Sequence, residues 1–128
     1  MPDQSYQIIK TALDASSLRQ KTISSNIANV NTPGYKAQKV RFEEELQRAM
    51  GKNGLALENT HAAHLGGGDV SQVKPQVVTS SSHTMNDEGN SVDIDREMVD
   101  LAANEIYYSA LIEQLNRKLG SLNYVINR

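Results

Sequence analysis

The chain has no cysteine, which excludes a disulfide framework, a thiolate metal site and a cysteine nucleophile. Tryptophan is also absent and there is a single phenylalanine; apolar residues make up 38% of the 128 positions. That is little core material for one domain's length of chain, so one core burying most of it is not expected. Apolar runs are only a few residues long, too short for a membrane-spanning helix. Positive charge is not in excess: the formal charge is −2 and the pI about 5.9, which disfavours a nucleic-acid partner. Pro2-Asp3-Gln4 opens the chain without a basic or apolar stretch, so no cleaved secretory signal is expected. Such a composition suits a cytosolic protein, or one exported by a route that reads no cleaved signal.

Glycine and proline are missing where the remaining pattern is strongest. Residues 5–30 hold neither, and residues 94–128 hold one glycine, Gly120, and no proline; the other seven of the eight glycines lie between. The chain thus divides into 1–37, a polar middle at 38–91, and 92–128. Alternating steps of three and four from Met98 reach Leu101, Glu105, Tyr108, Ile112, Leu115, Leu119, Leu122 and Ile126. All but Glu105 are apolar or aromatic, a heptad seam on a helix predicted over 95–128. That helix is about 50 Å long at 1.5 Å per residue. Ser91 or Asp93 is the candidate cap, and Asp95 and Glu97 put negative charge at the positive end of the dipole.

The same step runs through Tyr6, Ile9, Leu13, Ser16, Gln20, Ile23, Ile27 and Val30 and predicts a helix over 5–30, with a polar interruption at Ser16 and Gln20. Ala12 and Ala15 permit close helix approach. Asn31 is suited to a left-handed exit, Pro33 blocks continuation, and Pro33-Gly34 predicts a type II turn with positive φ at Gly34. In the middle, Phe42, Leu46, Ala49 and Met50 predict a short helix over 41–50 ended by Gly51. Residues 73–79 favour an edge or isolated strand because of Pro75. The expected fold is mainly α: long N- and C-terminal helices pairing as a coiled coil around a partly extended, loop-rich middle.

Two helices that pair leave the outer flanks of both seams wet, and this chain has no third long helix to cover them. Other copies or related chains are the simplest cover, so the ends are expected to gain order on association. A monomeric helical hairpin with a flexible insertion is the plainer alternative. The polar interruption weighs against it, because such positions fix register at a cost in stability.

No catalytic or cofactor constellation emerges. His61 and His64 lack further ligands for a metal. An EF-hand loop over 84–95 would have Thr84 at its first position and Asp95 at its twelfth, where an Asp and a Glu are expected. No nucleophile elbow surrounds a serine, and Gly66-Gly67-Gly68 lacks the Lys-Ser or Lys-Thr of a phosphate loop.

Asn26-Ile27-Ala28-Asn29-Val30-Asn31-Thr32-Pro33-Gly34-Tyr35-Lys36 resembles, without a gap, the signature of the bacterial flagellar rod and hook protein family. Gly89-Asn90-Ser91-Val92-Asp93-Ile94-Asp95-Arg96-Glu97-Met98 is similar to the approach to the C-terminal helix in its proximal rod members. The resemblance implies a structural subunit without enzymatic activity or cofactor. It implies export, unfolded, by the flagellar type III apparatus, and self-assembly into a hollow, torque-transmitting rod in the periplasm. Implied partners are copies of itself, related rod subunits, the rod's base adaptor, the inner-membrane ring, the export gate and a rod-capping factor. Ile9, Leu13, Ile23, Ile27 and Val30 would then face partner helices, as would Leu101, Tyr108, Ile112, Leu115, Leu119, Leu122 and Ile126. Asn26 and Asn29 would hydrogen-bond backbone within or between subunits, and Thr32, Pro33, Gly34 and Tyr35 would fix the turn. Phe42 and Leu46 are similar to an export-gate recognition pattern, although the apolar face of a short helix explains them as well. A cytosolic coiled-coil adaptor or secretion chaperone is the alternative function. Leu115→Asp is expected to abolish motility while export continues, as read by swarming and by secretion of the variant.

Overall fold

A computed structural model describes residues 4–54, 70–80, 86 and 88–127. Helix α1 spans Gln4–Ala28, strand β1 Gln38–Arg41, helix α2 Glu43–Gly54, a single 3-10 turn Val70–Gln72, strand β2 Gln76–Thr79 and helix α3 Ile94–Ile126. His61, His64 and Gly66-Gly67-Gly68 lie outside the described residues.

The long helices form where a chain without breakers carries helical periodicity. Asp93, in extended backbone, caps α3: its carboxylate accepts from the amides of Asp95 at 3.1 Å and Arg96 at 3.3 Å. Capping of this kind contributes about 1 kcal/mol. Ser91, the other candidate cap, is used elsewhere. Helix α1 packs against α3 in antiparallel sense: Ser16 meets Asn104, and Ala12 shares a cluster with Leu111.

The face of α3 under α1 is rotated from the predicted seam. Leu101, Ile112, Leu115 and Leu122 are half-buried as expected, but Asn104 is the one fully buried residue, while Met98, Glu105, Tyr108, Leu119 and Ile126 are exposed. Both 3-4 and 4-3 stepping fit a 3.6-residue period, and the polar partners on α1 decide between them. Asn104 Nδ2 donates to the Ser16 carbonyl at 3.0 Å and to Gln20 Oε1 at 3.2 Å, while the Ser16 hydroxyl donates to Asn104 Oδ1 at 3.0 Å. The polar interruption of the N-terminal seam is therefore one half of a buried network that fixes the register of the two helices.

A second side of α1 carries the small core. Ala12, Ala15, Val40, Phe42 and Val73 form it, with Leu18, Leu46, Ala49 and Leu111 packed around them. Phe42 is 1% exposed, and the two alanines leave the space its ring occupies. Strands β1 and β2 form an antiparallel ribbon, Gln38 opposite Thr79 and Arg41 opposite Gln76. β2 is the expected edge strand. β1 was not expected: its other edge is satisfied by α1 side chains, Asn26 bridging the backbone of Gln38 and Arg19 donating to the Val40 carbonyl at 3.3 Å. α2 starts two residues later than predicted because Arg41 belongs to β1, and it runs through Gly51 to Gly54. An interior glycine weakens a helix by about 1 kcal/mol but does not stop it. Among the described residues no helix is long and apolar enough to cross a membrane.

Asn104→Ala leaves the Ser16 hydroxyl and the Gln20 amide without their partner. A loss of about 1–3 kcal/mol is expected, measured as a lower urea midpoint, with Ser16→Ala/Asn104→Leu recovering most of it.

Candidate functional site

The segment after α1 and the segment before α3 close on each other. Helix α1 ends at Ala28 and its last carbonyls need donors. Asn31 does not take the left-handed conformation, since no residue other than glycine has positive φ among those described. The last carbonyls are met locally, Ser25 and Asn26 accepting from the Asn29 amide at 3.1 Å and Ile27 from the Val30 amide at 3.3 Å, and the stretch just beyond the helix is held by Asn90, which is 2% exposed. Its amide nitrogen lies 2.9, 3.0 and 2.7 Å from the carbonyl oxygens of Asn29, Val30 and Thr32. Its Oδ1 accepts from the Val92 amide at 2.8 Å, and its own backbone amide donates to Asn86 Oδ1 at 2.8 Å.

The predicted turn forms as expected at its centre. The Tyr35 amide donates to the Thr32 carbonyl at 3.2 Å and Gly34 has φ of 74°. The Gly34 amide reaches the Glu88 carbonyl at 2.8 Å. Gly89 also has positive φ, 76°, and a Cβ there would sit 3.7 Å from Gly34 Cα. Two glycine backbones thus face each other across the junction. Beyond them the Ser91 amide donates to the Tyr35 carbonyl at 3.1 Å and the Ser91 hydroxyl accepts from the Ala37 amide at 2.8 Å.

Asn26 and Asn29, one helical turn apart, have different roles. Asn26 is 1% exposed and acts as a strand's neighbour: Nδ2 donates to the Gln38 carbonyl at 2.7 Å, and Oδ1 accepts from the Gln38 amide at 2.9 Å and the Tyr35 hydroxyl at 3.3 Å. Asn29 donates to the Ser25 carbonyl and accepts from the Thr32 hydroxyl. Both serve backbone within the chain. Glu97, on the first turn of α3, has its pKa raised by burial and by Asp100 and Asp93, against a hydrogen bond with Asn26 and the charge of Arg96 that pull it down. Because the folded value lies above the unfolded one, the contribution of Glu97 to stability is complete below the unfolded value and lost as pH rises through the folded one. Glu43 is the reverse. Burial raises its pKa, but its hydrogen bond with Arg19 at 2.8 Å, backbone donors and the Arg19 charge outweigh that and hold it below the usual value. Its contribution is present above the unfolded value and lost as pH falls through the folded one.

A cleft of about 500 Å³ opens between α1, β1 and α3. Among the described residues its wall mixes Arg19, Lys39 and Arg96 with Glu43, Asp93, Glu97 and Asp100. Among the described residues no cluster of side chains is arranged to hold a metal.

Ile9, Leu13, Ile27 and Val30 are half-buried in the single chain. Ile23 is buried, 5% exposed, and lines the cleft instead of an outer face. Tyr108, Leu119 and Ile126 are 42%, 46% and 79% exposed. Phe42 and Leu46 lie in the core cluster. Sequence reasoning missed Asn104 and the central place of Asn90. The charged Glu105 in an otherwise apolar seam was the signal for the first; Asn90 read only as part of a turn, because its acceptors lie some sixty residues earlier in the chain.

Polar side chains so consistently directed at the protein's own backbone, beside long helices with wet apolar flanks, are the features of a structural subunit. A family model described as flagella basal body rod protein matches residues 8–36. The flagellar basal body rod protein FlgB of Bacillus subtilis is 38% identical over 120 residues, covering 94% of this chain and 91% of that protein. Its counterpart in Borreliella burgdorferi is 41% identical over 120 residues, covering 89% of each chain. That of Salmonella typhimurium is 30% identical over 129 residues, covering 97% and 94%. The chain belongs to the FlgB family of flagellar basal body rod proteins. Its place is the flagellum, and the adaptor or chaperone alternative finds no support in these relatives.

Asn90→Ala removes the donors that hold the stretch after α1, and Gly34→Val forces a β-branched residue to positive φ. Each is expected to destabilise the junction by about 1–3 kcal/mol, seen as faster amide exchange at residues 29–37 than in the parent.

Proposed function

We propose that the chain is a proximal rod subunit. It is made in the cytoplasm, leaves unfolded through the flagellar type III apparatus without a cleaved signal, and joins copies of itself and related rod subunits in the periplasm. Its terminal helices build the wall of a hollow rod that transmits torque. The rod's base adaptor and the inner-membrane ring are its neighbours, the export gate meets it during secretion, and a capping factor guides its addition. Residues 1–37 and 92–128 supply the assembly helices, and 38–91 forms the variable middle.

The observation that carries this reading is the state of α3. Of its 33 residues only Asn104 is buried, while Met98, Val99, Ile106, Leu119, Tyr124, Val125 and Ile126 are each at least 46% exposed. Burial of apolar area is worth about 25 cal/mol per Å², so this many wet side chains on one rigid helix favour association strongly. A contact that repeats head-to-tail without closing produces an open filament.

Ile126→Asp changes a residue that holds nothing together within the chain. The variant is expected to keep its parent's circular dichroism and to be secreted, yet to be missing from isolated basal bodies and to abolish swarming. Normal incorporation would count against the reading.

A further inference from the structure

Residues 29–37 are fastened from outside by one short strap, residues 88–93. Asn90 holds the carbonyls of Asn29, Val30 and Thr32. The Gly34 amide donates to the Glu88 carbonyl at 2.8 Å, and the Lys36 ammonium to the Gly89 carbonyl at 3.2 Å. Ser91 holds the Tyr35 carbonyl through its amide and the Ala37 amide through its hydroxyl. Ala37 is shared between two fastenings, because its own carbonyl accepts from the Ser80 amide at 2.7 Å. The next residue, Gln38, is held on both backbone groups by Asn26. The strap therefore fixes the point where β1 begins, and through β1 the ribbon it forms with β2.

Residues 4–80 have little else to hold them together. The cluster under α1 has five buried members, Ala12, Ala15, Val40, Phe42 and Val73, of which only Phe42 is large. Ser16, fully buried, and Gln20 find their partner on α3, at Asn104. A core this small seldom stabilises a stretch of about 80 residues or fewer by itself.

We propose that the strap is a clasp that gates folding: residues 4–80 take up their fold only as residues 88–93 close on the stretch that follows α1. Local contacts ordinarily form before distant ones, since joining groups 58 to 61 residues apart costs loop entropy before any contact offsets it. Here the local part falls short of stability, so closing the clasp and folding the rest are one event. A chain made from its N-terminus stays open until its last third is present. The inference goes beyond the rod reading and does not depend on it.

Pulse-labelled amide exchange during refolding of the full-length chain tests it. The amides of Gln38 and Ser80 report on β1 and the ribbon, those of Gly34 and Ser91 on the clasp. All four are expected to gain protection in a single phase. In stopped-flow kinetics Asn90→Ala is expected to slow folding about tenfold and leave the unfolding rate nearly unchanged, whereas Phe42→Leu mainly speeds unfolding. The labelling of the parent chain decides the matter even where the variant does not refold. Protection of Gln38 and Ser80 ahead of Gly34 and Ser91 would overturn the proposal, as would an Asn90→Ala chain that folds at the parent's rate and only unfolds faster. So would a lone chain with none of the four amides protected, because the clasp needs no neighbour to close.

Discussion

A chain leaving a helix must be held to a course, and here one side chain near residue 90 fixes the stretch that follows α1. Asn90 lies within hydrogen-bond distance of three carbonyls between residues 29 and 32, and Ser91 ties the next stretch through Tyr35 and Ala37. Only then does Asp93 open α3. The exit of one long helix and the entry of the other are thus built as one joint. Their antiparallel course follows from it, and the network at Ser16, Gln20 and Asn104 sets the register further along. Without the joint, the carbonyls that follow α1 would lose their donors and the approach to α3 would lose its anchor.

Much of this was legible in the residues. Both long helices follow from breaker-free stretches with helical period, and the turn at Gly34 follows from Pro-Gly chemistry. What was not legible depends on partners distant in sequence. Strand β1 is four residues long with one buried side chain, Val40, too short for alternation to register. It exists because Asn26 and Arg19 complete its outer edge. The choice of Asn104 over its neighbours as the inward residue of α3 likewise depends on amide and hydroxyl groups presented by α1. The turn motif and the approach to α3 read as separate signatures along the chain and prove to be two halves of one contact.

The single chain also divides its surfaces unequally. α1 is covered from two sides, by α3 and by the ribbon and short helix of the middle, whereas α3 is covered from one. That asymmetry explains why exposed apolar residues concentrate on α3, and why the polar networks, which need fixed geometry, concentrate along α1. In a rod protein of the FlgB family this division separates two duties. α1 organises the fold within the subunit, and α3 carries most of the exposed apolar surface.

The core beneath α1 has a further consequence. One phenyl ring set over the β-carbons of two alanines is a small keystone; once Phe42 is drawn out, little apolar area remains to oppose stretching of the polypeptide. For the export proposed above, a core this small leaves little burial to undo before the chain is threaded. In the rod proposed above, strength then resides in the seams between molecules, not in any one of them.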